Sequence, residues 1–135
     1  MEDKKLHLKV ITHEKVVFDS YVDAIYALGE KGEFGILPNH IPFMTSLKIG
    51  VTRAVVDGKT IPIATMSGVF QVKNNEAIIL ATVAELADDI DVARAKEAKE
   101  RAEARLGSQE VALDRQRAEI ALAKALARLK ATSLK

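Results

Sequence analysis

The amino-acid composition of the chain changes abruptly close to Ala87 and Asp88. Every aromatic residue, all three prolines and six of the seven glycines lie before residue 88. The remainder is rich in alanine and in charged residues, and Gly107 is the only glycine in it. Alanine has the highest helix propensity, whereas glycine and proline are typical of turns and aromatic residues of strands. The sequence therefore predicts two domains, residues 1–87 and residues 88–135.

The first domain shows the alternation of apolar and polar residues that is typical of β-strands. Short apolar runs occur at 6–10, 16–18, 22–27, 51–56, 61–66, 69–72 and 77–83. Asp57 and Gly58 separate two of these runs, and Asn74 and Asn75 separate another two. Such pairs indicate hairpin turns, because these residue types tolerate the positive φ that the turn requires. Many short strands joined by turns predict an all-β sandwich or barrel and disfavour the βαβ alternation of a dinucleotide-binding fold.

A glycine-rich segment lies in the middle of the first domain. It reads Gly29-Glu-Lys-Gly-Glu-Phe-Gly-Ile-Leu-Pro-Asn-His-Ile-Pro42. Its spacing fits neither the phosphate loop nor the Gly-x-Gly-x-x-Gly dinucleotide fingerprint. Because its two prolines restrict the backbone, we expect a structured loop of the β-domain here. At residues 66–69 we expect the end of a strand and a turn.

The second domain has helical periodicity over about 92–106 and about 109–130, with Gly107 and Ser108 as the break. Asp91 precedes the first helix and is expected to cap it by accepting hydrogen bonds from free backbone amides. Two helices joined by so short a connection predict an antiparallel hairpin. The predicted fold class is α+β, a sandwich followed by a two-helix hairpin.

The seam between the two predicted helices consists mostly of alanine. Residues spaced by three and four positions form one stripe on each helix: Ala95, Ala98, Ala102 and Leu106 on the first, Ala118, Ala121, Ala125 and Leu129 on the second. Hydrophobic stabilisation scales with buried apolar area, so methyl groups contribute much less than leucine side chains. Such a seam suits a hairpin that opens as a switch, but taken alone it favours an ordinary hairpin facing solvent.

Composition excludes several classes of protein. The 135 residues are 48% hydrophobic and 29% charged, with a formal net charge of +1 and no cysteine. Disulfides and thiolate metal sites are therefore excluded, and no apolar run approaches the length of a membrane helix. The histidines at 7, 13 and 40 lack ligand partners at zinc-site spacing, so no metal site is predicted. No constellation of acid, base and nucleophile is apparent, which predicts that the chain is not an enzyme.

Basic residues of the second domain allow more than one interpretation. Arg94, Arg101, Lys124 and Arg128 form either a cationic patch for phosphate groups or a solvated helix surface. Residues 115–135 carry six basic side chains and one acidic side chain, a local net charge of +5. Such a segment seeks an acidic protein surface or polyphosphate, or it is simply solvated. Nearby aromatic residues are absent, which argues against single-stranded nucleic acid as a partner.

Taken over its whole length, the chain resembles the epsilon subunit of bacterial F-type ATP synthase. Gly32-Glu-Phe-Gly-Ile-Leu-Pro-Asn-His-Ile-Pro42 resembles the family's Gly-Glu-x-Gly-x-x-Pro-x-His-x-Pro loop. Ser67-Gly-Val-Phe70 resembles its Gly-Gly-Phe segment, with valine in place of the second glycine. Ile90-Asp-Val-Ala-Arg-Ala95 matches the Ile/Leu-Asp-x-x-Arg-Ala motif by which some members bind ATP.

The resemblance implies a non-catalytic rotor subunit of the central stalk. Its sandwich attaches to the gamma subunit and touches the c-ring, with Glu33 and His40 as candidates for the ring contact. The protein is then peripheral, on the cytoplasmic face of the bacterial cell membrane. No covalent cofactor is implied.

The resemblance also implies regulation by the helices. Extended helices meet the alpha and beta subunits and block ATP hydrolysis through the basic residues Arg115, Arg117, Lys124, Arg128 and Lys130. ATP, as a regulatory ligand, favours the folded hairpin and is held by Glu85, Asp91, Arg94, Arg101, Lys124 and Arg128. At position 124 the family's arginine is lysine here, which loses the planar fork that binds phosphate bidentately. The alternative is a purely structural coupling module in which the helices regulate nothing.

Overall fold

A computed structural model describes residues 5–107 and 112–135. Eight strands precede two helices in the chain. The strands are β1 Leu6–Ile11, β2 Val16–Val22, β3 Ala24–Gly29, β4 Gly32–Ile36, β5 Phe43–Leu47, β6 Gly50–Val56, β7 Lys59–Lys73 and β8 Glu76–Leu86. After a single 3₁₀ turn at Ala87–Asp89 come α1 Val92–Leu106 and α2 Ala112–Ser133. The predicted sandwich followed by two helices is confirmed, while Ser108 and the predicted helical residues 109–111 lie outside the described residues.

The strands are joined in the order β2-β1-β8-β7-β5-β3-β4, and β6 pairs with both β3 and β7. β1 and β8 run parallel, whereas the other pairs are antiparallel. The two longest strands, β7 and β8, pair along their whole length. β6 occupies the far edge of the first half of β7, and β5 occupies that edge of its second half. β7 and β8 are therefore long enough to contribute to both layers of the sandwich.

A bend at Ser67 and Gly68 lets β7 change layers. Ile63 before the bend and Phe70 after it both face the core, although their separation of seven residues would place them on opposite faces of a straight strand. Ser67 has a φ of 63° and Gly68 a φ of 144°. A Cβ atom on Gly68 would lie 2.2 Å from the carbonyl oxygen of Leu80 on β8. The prediction of two strands separated by a turn at 66–69 is therefore wrong, because glycine allows one strand to bend there.

Three further strand predictions differ from the structure. The run 22–27 is divided between β2 and β3 at Asp23, and the segment expected to be a loop contains β4. Gly35 enables this, because a Cβ atom there would lie 2.8 Å from the ring of Tyr26 on the paired strand. β5 was not predicted either, and its residue Phe43 packs edge-on against Phe34 at 5.4 Å between ring centroids.

The predicted hairpin turns are confirmed. Asp57 and Gly58 have φ values of 51° and 80° between β6 and β7. Asn74 and Asn75 have φ values of 53° and 61° between β7 and β8. These turns fix the register that sends alternate side chains into the core.

The hairpin helices pack on each other and on one surface of the sandwich. Asp91 caps α1 as predicted, since its Oδ1 atom accepts a hydrogen bond from the backbone N–H of Arg94 at 3.1 Å. Four of the predicted seam residues are buried, namely Ala95, Ala102, Ala118 and Ala125. Ala127 and Ala131 of α2 pack against the sandwich in a small cluster with Val51, Ala64, Met66 and Ala87. α2 is thus the helix that joins the hairpin to the sandwich.

Candidate functional site

A cleft of about 390 Å³ lies where the end of β8, the start of α1 and the side of α2 meet. Its lining includes five of the six residues predicted to bind nucleotide: Glu85, Asp91, Arg94, Arg101 and Arg128. Asp89, Ile90, Ala95 and Ala98 complete it. Polar side chains that are far apart in the sequence therefore converge on one concave surface, as small-molecule sites require.

The start of α1 positions two of the arginines. Capping by Asp91 places Arg94 in the first helical turn. Arg101 follows seven residues later, which is two turns, so both side chains project from the same face. Ala98 lies between them and leaves the cleft open above it. The motif thus combines a helix cap with a cationic surface.

Glu85 and Arg128 form a bidentate ion pair across the cleft. Arg128 Nε donates to Glu85 Oε1 at 2.7 Å, and Nη2 donates to Oε2 at 3.2 Å. The arginine side chain is 27% exposed and the glutamate side chain 35% exposed. Parallel N–H···O bonds of this kind are stronger and more directional than a single contact to lysine. The pair ties α2 to β8 in the docked conformation of the helices.

Lys124 lies outside this cleft. It lines a neighbouring groove between α2 and the sandwich, together with Glu30, Lys48 and Ile120 among others. Lys124 precedes Arg128 by one helical turn, about 6 Å along the axis. Its assignment to the nucleotide site stays a prediction.

The other basic residues of α2 are exposed in this conformation. Arg115 Nη1 donates to the backbone carbonyl of Leu106 at 3.2 Å. This hydrogen bond links the start of α2 to the end of α1. Arg117 lies 3.7 Å from Asp114 in an exposed ion pair one turn away. Lys130 faces solvent. Their predicted contact with an acidic surface stays a prediction.

Glu33 and His40 line two different grooves. Glu33 pairs with Arg53 at 3.3 Å and lines a groove beside α2. His40 lies in the segment 37–42 between β4 and β5, hereafter the proline loop, where its Nδ1 atom is 2.7 Å from the carbonyl oxygen of Ile41. Their shared role in a ring contact stays a prediction.

Two exposed apolar features were not predicted. Leu37 and Ile41 of the proline loop are 58% and 74% exposed. Met44, Val69, Ile78 and Leu80 form an exposed stripe on adjacent strands of one sheet face, hereafter the apolar stripe. The segment 77–81, which is apolar at five consecutive positions, is the sequence signal for the stripe, because a strand with one solvated face alternates instead.

Comparison with known families agrees with this architecture. Residues 5–87 match the family described as ATP synthase, Delta/Epsilon chain, beta-sandwich domain. Residues 88–133 match the family described as ATP synthase, Delta/Epsilon chain, long alpha-helix domain. The ATP synthase epsilon chain of Desulforamulus reducens is 49% identical over 128 residues, which are 95% of this chain and 97% of that protein.

Solved structures show the same fold. A chain of the mitochondrial ATP synthase of Euglena gracilis aligns with a TM-score of 0.83 at 23% identity, covering 98% of this chain and 84% of that one. A chain of the Tetrahymena thermophila mitochondrial ATP synthase, in a structure described as central stalk and c-ring, aligns with a TM-score of 0.58 at 14% identity, covering 98% and 99%. Neither helix among the described residues has the length and apolarity to cross a membrane. The two family matches and the 49% identity over 95% of the chain agree with the observed sandwich and helices. The chain therefore belongs to the ATP synthase delta/epsilon family as an epsilon chain, a non-catalytic subunit.

Proposed function

We propose that the chain is a rotor subunit of the central stalk of a bacterial ATP synthase, with gamma and the c-ring as partners. It couples rotation to ATP synthesis as a peripheral protein on the cytoplasmic face of the membrane. Its helices inhibit ATP hydrolysis when they leave the sandwich and reach the alpha and beta subunits. ATP bound in the cleft favours the docked helices.

The convergence of five predicted residues on one cleft carries this proposal. Arg94, Arg101 and Arg128 supply guanidinium groups suited to phosphate oxygens, and Asp91 and Glu85 supply acceptors for ribose or adenine. All three structural elements that line the cleft must be in place to form it. A ligand that needs all three therefore binds the docked conformation better than the extended one and shifts the equilibrium by that difference in affinity.

Calorimetric titration of ATP into the purified chain tests the cleft. Arg94→Gln and Arg101→Gln should each weaken ATP binding by about tenfold or more, because hydrogen bonds to charged groups contribute roughly 1.5–3 kcal/mol each. Lys96→Gln is the matched control, since it lies on the same exposed helix, removes the same charge and does not line the cleft. Equal ATP affinity in all three variants would contradict the nucleotide site.

Hydrolysis by the complete complex tests the inhibitory role. ATP synthase assembled with the chain truncated after Asp88 should hydrolyse ATP faster than the complex with the full chain. The combined variant Arg115→Gln and Arg117→Gln should also hydrolyse ATP faster, because it removes two of the basic residues proposed to inhibit. Identical rates with full and truncated chains would select the structural module without regulation.

The two apolar features are assigned to the two partners. The apolar stripe is a flat sheet face suited to attachment to gamma, because contiguous exposed apolar surface marks interaction sites. The proline loop projects Leu37 and Ile41 and is assigned to the c-ring. Leu80→Asp should weaken assembly with gamma in a pull-down of purified subunits. Lys59→Asp, an equally drastic change at an exposed position at the far end of β7, should not.

A further inference from the structure

The proline loop is hydrogen-bonded to the hairpin turn between β7 and β8, which follows it by 36 positions in the sequence. Asn75 Oδ1 accepts a hydrogen bond from the backbone N–H of Asn39 at 2.6 Å. Asn75 Nδ2 donates to Asn39 Oδ1 at 3.2 Å. The two asparagines therefore hold each other through two hydrogen bonds, hereafter the asparagine clasp.

The turn that carries Asn75 is itself anchored on both sides. The backbone carbonyl oxygen of Asn75 accepts a hydrogen bond from the backbone N–H of His7 on β1 at 2.9 Å. β7 and β8, which flank the turn, are paired from Lys73 and Glu76 onward. Asn75 is thus a fixed point on the sandwich from which the side chain reaches the loop.

The loop end of the clasp lies in the middle of the segment it restrains. Asn39 has a φ of 68° and sits between Pro38 and His40. His40 contacts the ring of Phe43 at 5.9 Å between centroids, and Phe43 packs on the aromatic cluster of the sandwich. The loop is therefore held at its centre by the clasp and at its end by an aromatic contact, while Ile41 between them remains exposed.

We propose that Asn75 is a positioning residue for docking of the proline loop on its partner. The clasp orders the loop before binding, so that Leu37 and Ile41 lose little conformational freedom when they are covered. In this proposal Asn75 acts through Asn39, to which it is joined by both hydrogen bonds of the clasp. This inference rests on the proposed function, which assigns the loop to the c-ring.

Glycine variants separate the clasp from the backbone of the turn. Asn74 and Asn75 both have positive φ, so glycine relieves strain at either position. Asn75→Gly removes both hydrogen bonds of the clasp, whereas Asn39→Gly removes one and keeps the backbone donor. Asn74→Gly is the matched control, because no hydrogen bond of its side chain to the loop is present among the described residues.

Two measurements are made on each variant. Hydrogen exchange of the full chain reports the order of His40 and Ile41, and titration of the soluble part of the ATP synthase onto membranes stripped of it reports docking. We expect Asn75→Gly to speed exchange and weaken docking by about five- to tenfold, and Asn39→Gly by about two- to threefold, the range set by one or two ordinary hydrogen bonds. The midpoint of thermal unfolding should be alike for the Asn74 and Asn75 variants.

Ile41→Ser distinguishes failure of the inference from failure of the loop assignment. If Ile41→Ser weakens docking but Asn75→Gly behaves like Asn74→Gly, the clasp does not position the loop and the inference is overturned. If Ile41→Ser leaves docking unchanged, the loop is not the ring contact, and both the assignment and the inference fall. Weakened docking with both Ile41→Ser and Asn75→Gly, beside an unchanged Asn74→Gly, supports the inference.

Discussion

The core of the sandwich and the seam between the helices bury side chains of very different size. Phe70, Leu6, Leu8 and Ile79 are fully buried in the sandwich, each on a strand with paired neighbours. The seam of the helices buries alanines, and the contact of α2 with the sandwich is made largely through Ala127 and Ala131. Burial of a large apolar side chain contributes about 1.5–3 kcal/mol, whereas a methyl group contributes about 0.8 kcal/mol.

This difference makes the sandwich the more firmly packed of the two parts. Rearranging the sandwich would expose several large side chains at once, so its conformation is fixed. Undocking α2 would expose its alanines together with the small cluster beneath them, in which Val51 and Met66 are the largest buried side chains, and would break a few ion pairs. Each alanine-rich helix would keep its own backbone hydrogen bonds. The sandwich is therefore the more firmly fixed part of the chain, which fits the roles proposed above for its surface and for the helices.

The largest expected effect is in the sandwich core. Phe70→Ala should lower the free energy of unfolding by about 3–5 kcal/mol, because it removes a fully buried ring and leaves a cavity. Ala125→Gly in the seam should cost only about 1 kcal/mol, mainly through helix propensity. Urea denaturation followed by tyrosine fluorescence, which reports the sandwich alone, and by circular dichroism of the helices distinguishes the two. Equal losses from both substitutions would contradict the comparison.

The ion pair across the cleft should have the next largest effect. Arg128→Gln removes the bidentate contact to Glu85 and should shift the helices toward undocking by about 1 kcal/mol, roughly a fivefold change in population. Because the chain has no cysteine, spin labels can be attached to two introduced cysteines, one on the sandwich and one on α2. The distance between the two labels then reports whether α2 is docked. Lys130→Gln is the control on the same helix with the same change of charge. An equal shift in both variants would show that net charge alone governs docking.

A smaller, pH-dependent effect is expected in the sandwich. His7 lies between Asp19 and Glu76, at 2.5 Å and 2.9 Å, and stacks on Tyr21. The hydrogen bond to Asp19, followed by that to Glu76, raises the pKa of His7 above its ordinary value of 6.5. A raised pKa means that the folded protein binds the proton more tightly, so this stabilisation is complete below pH 6.5 and disappears as the pH rises through the folded-state pKa.

His7→Gln tests that sign. Its free energy of unfolding should fall below that of the unaltered chain by up to about 1 kcal/mol at pH 5.5, as for other exposed ion pairs. The difference should shrink steadily at higher pH. Urea denaturation at pH 5.5, 7 and 9 measures it, and a gap that widens with increasing pH would show that the stabilisation comes from the neutral ring instead.

The smallest effect is expected at the end of the chain. Lys135 lies 3.3 Å from Asp88, whose side chain is 85% exposed. Lys135→Ala should change helix docking by less than about 0.5 kcal/mol, because exposed ion pairs are screened by solvent. The same distance between spin labels measures the change. A shift as large as that of Arg128→Gln would mean that solvent exposure does not determine how much each of the two ion pairs contributes to docking.

Local pattern predicted the elements that pack in a regular way. Apolar alternation identified most strands, and the shift to helical spacing identified both helices, because each element buries one face. β4 escaped prediction because its glycines normally indicate a loop, and Gly35 is needed here only to admit the ring of Tyr26. The layer change in β7 escaped because two apolar runs around Ser67 and Gly68 resemble two strands.

The cleft was predictable to the extent that its residues belong to one motif or one helix face. The capping role of Asp91 follows from its position before the first helix. The assignment of Asp91, Arg94 and Arg101 to a nucleotide site was implied by the resemblance to the family motif. The placement of Lys124 in another groove was not predictable, since the surface opposite each turn of α2 depends on how that helix crosses the sheet. The asparagine clasp joins residues 36 positions apart and had no local signal at all.

The bend at Gly68 has a mechanical consequence. Met66 on one side of it touches the cluster under α2, and Val69 on the other side belongs to the apolar stripe. Only Ser67 and Gly68 separate them, so at most about 10 Å of covalent backbone spans the two surfaces. A load applied to the stripe would thus reach the surface under α2 through covalent backbone as well as through the close-packed interior, which also transmits strain.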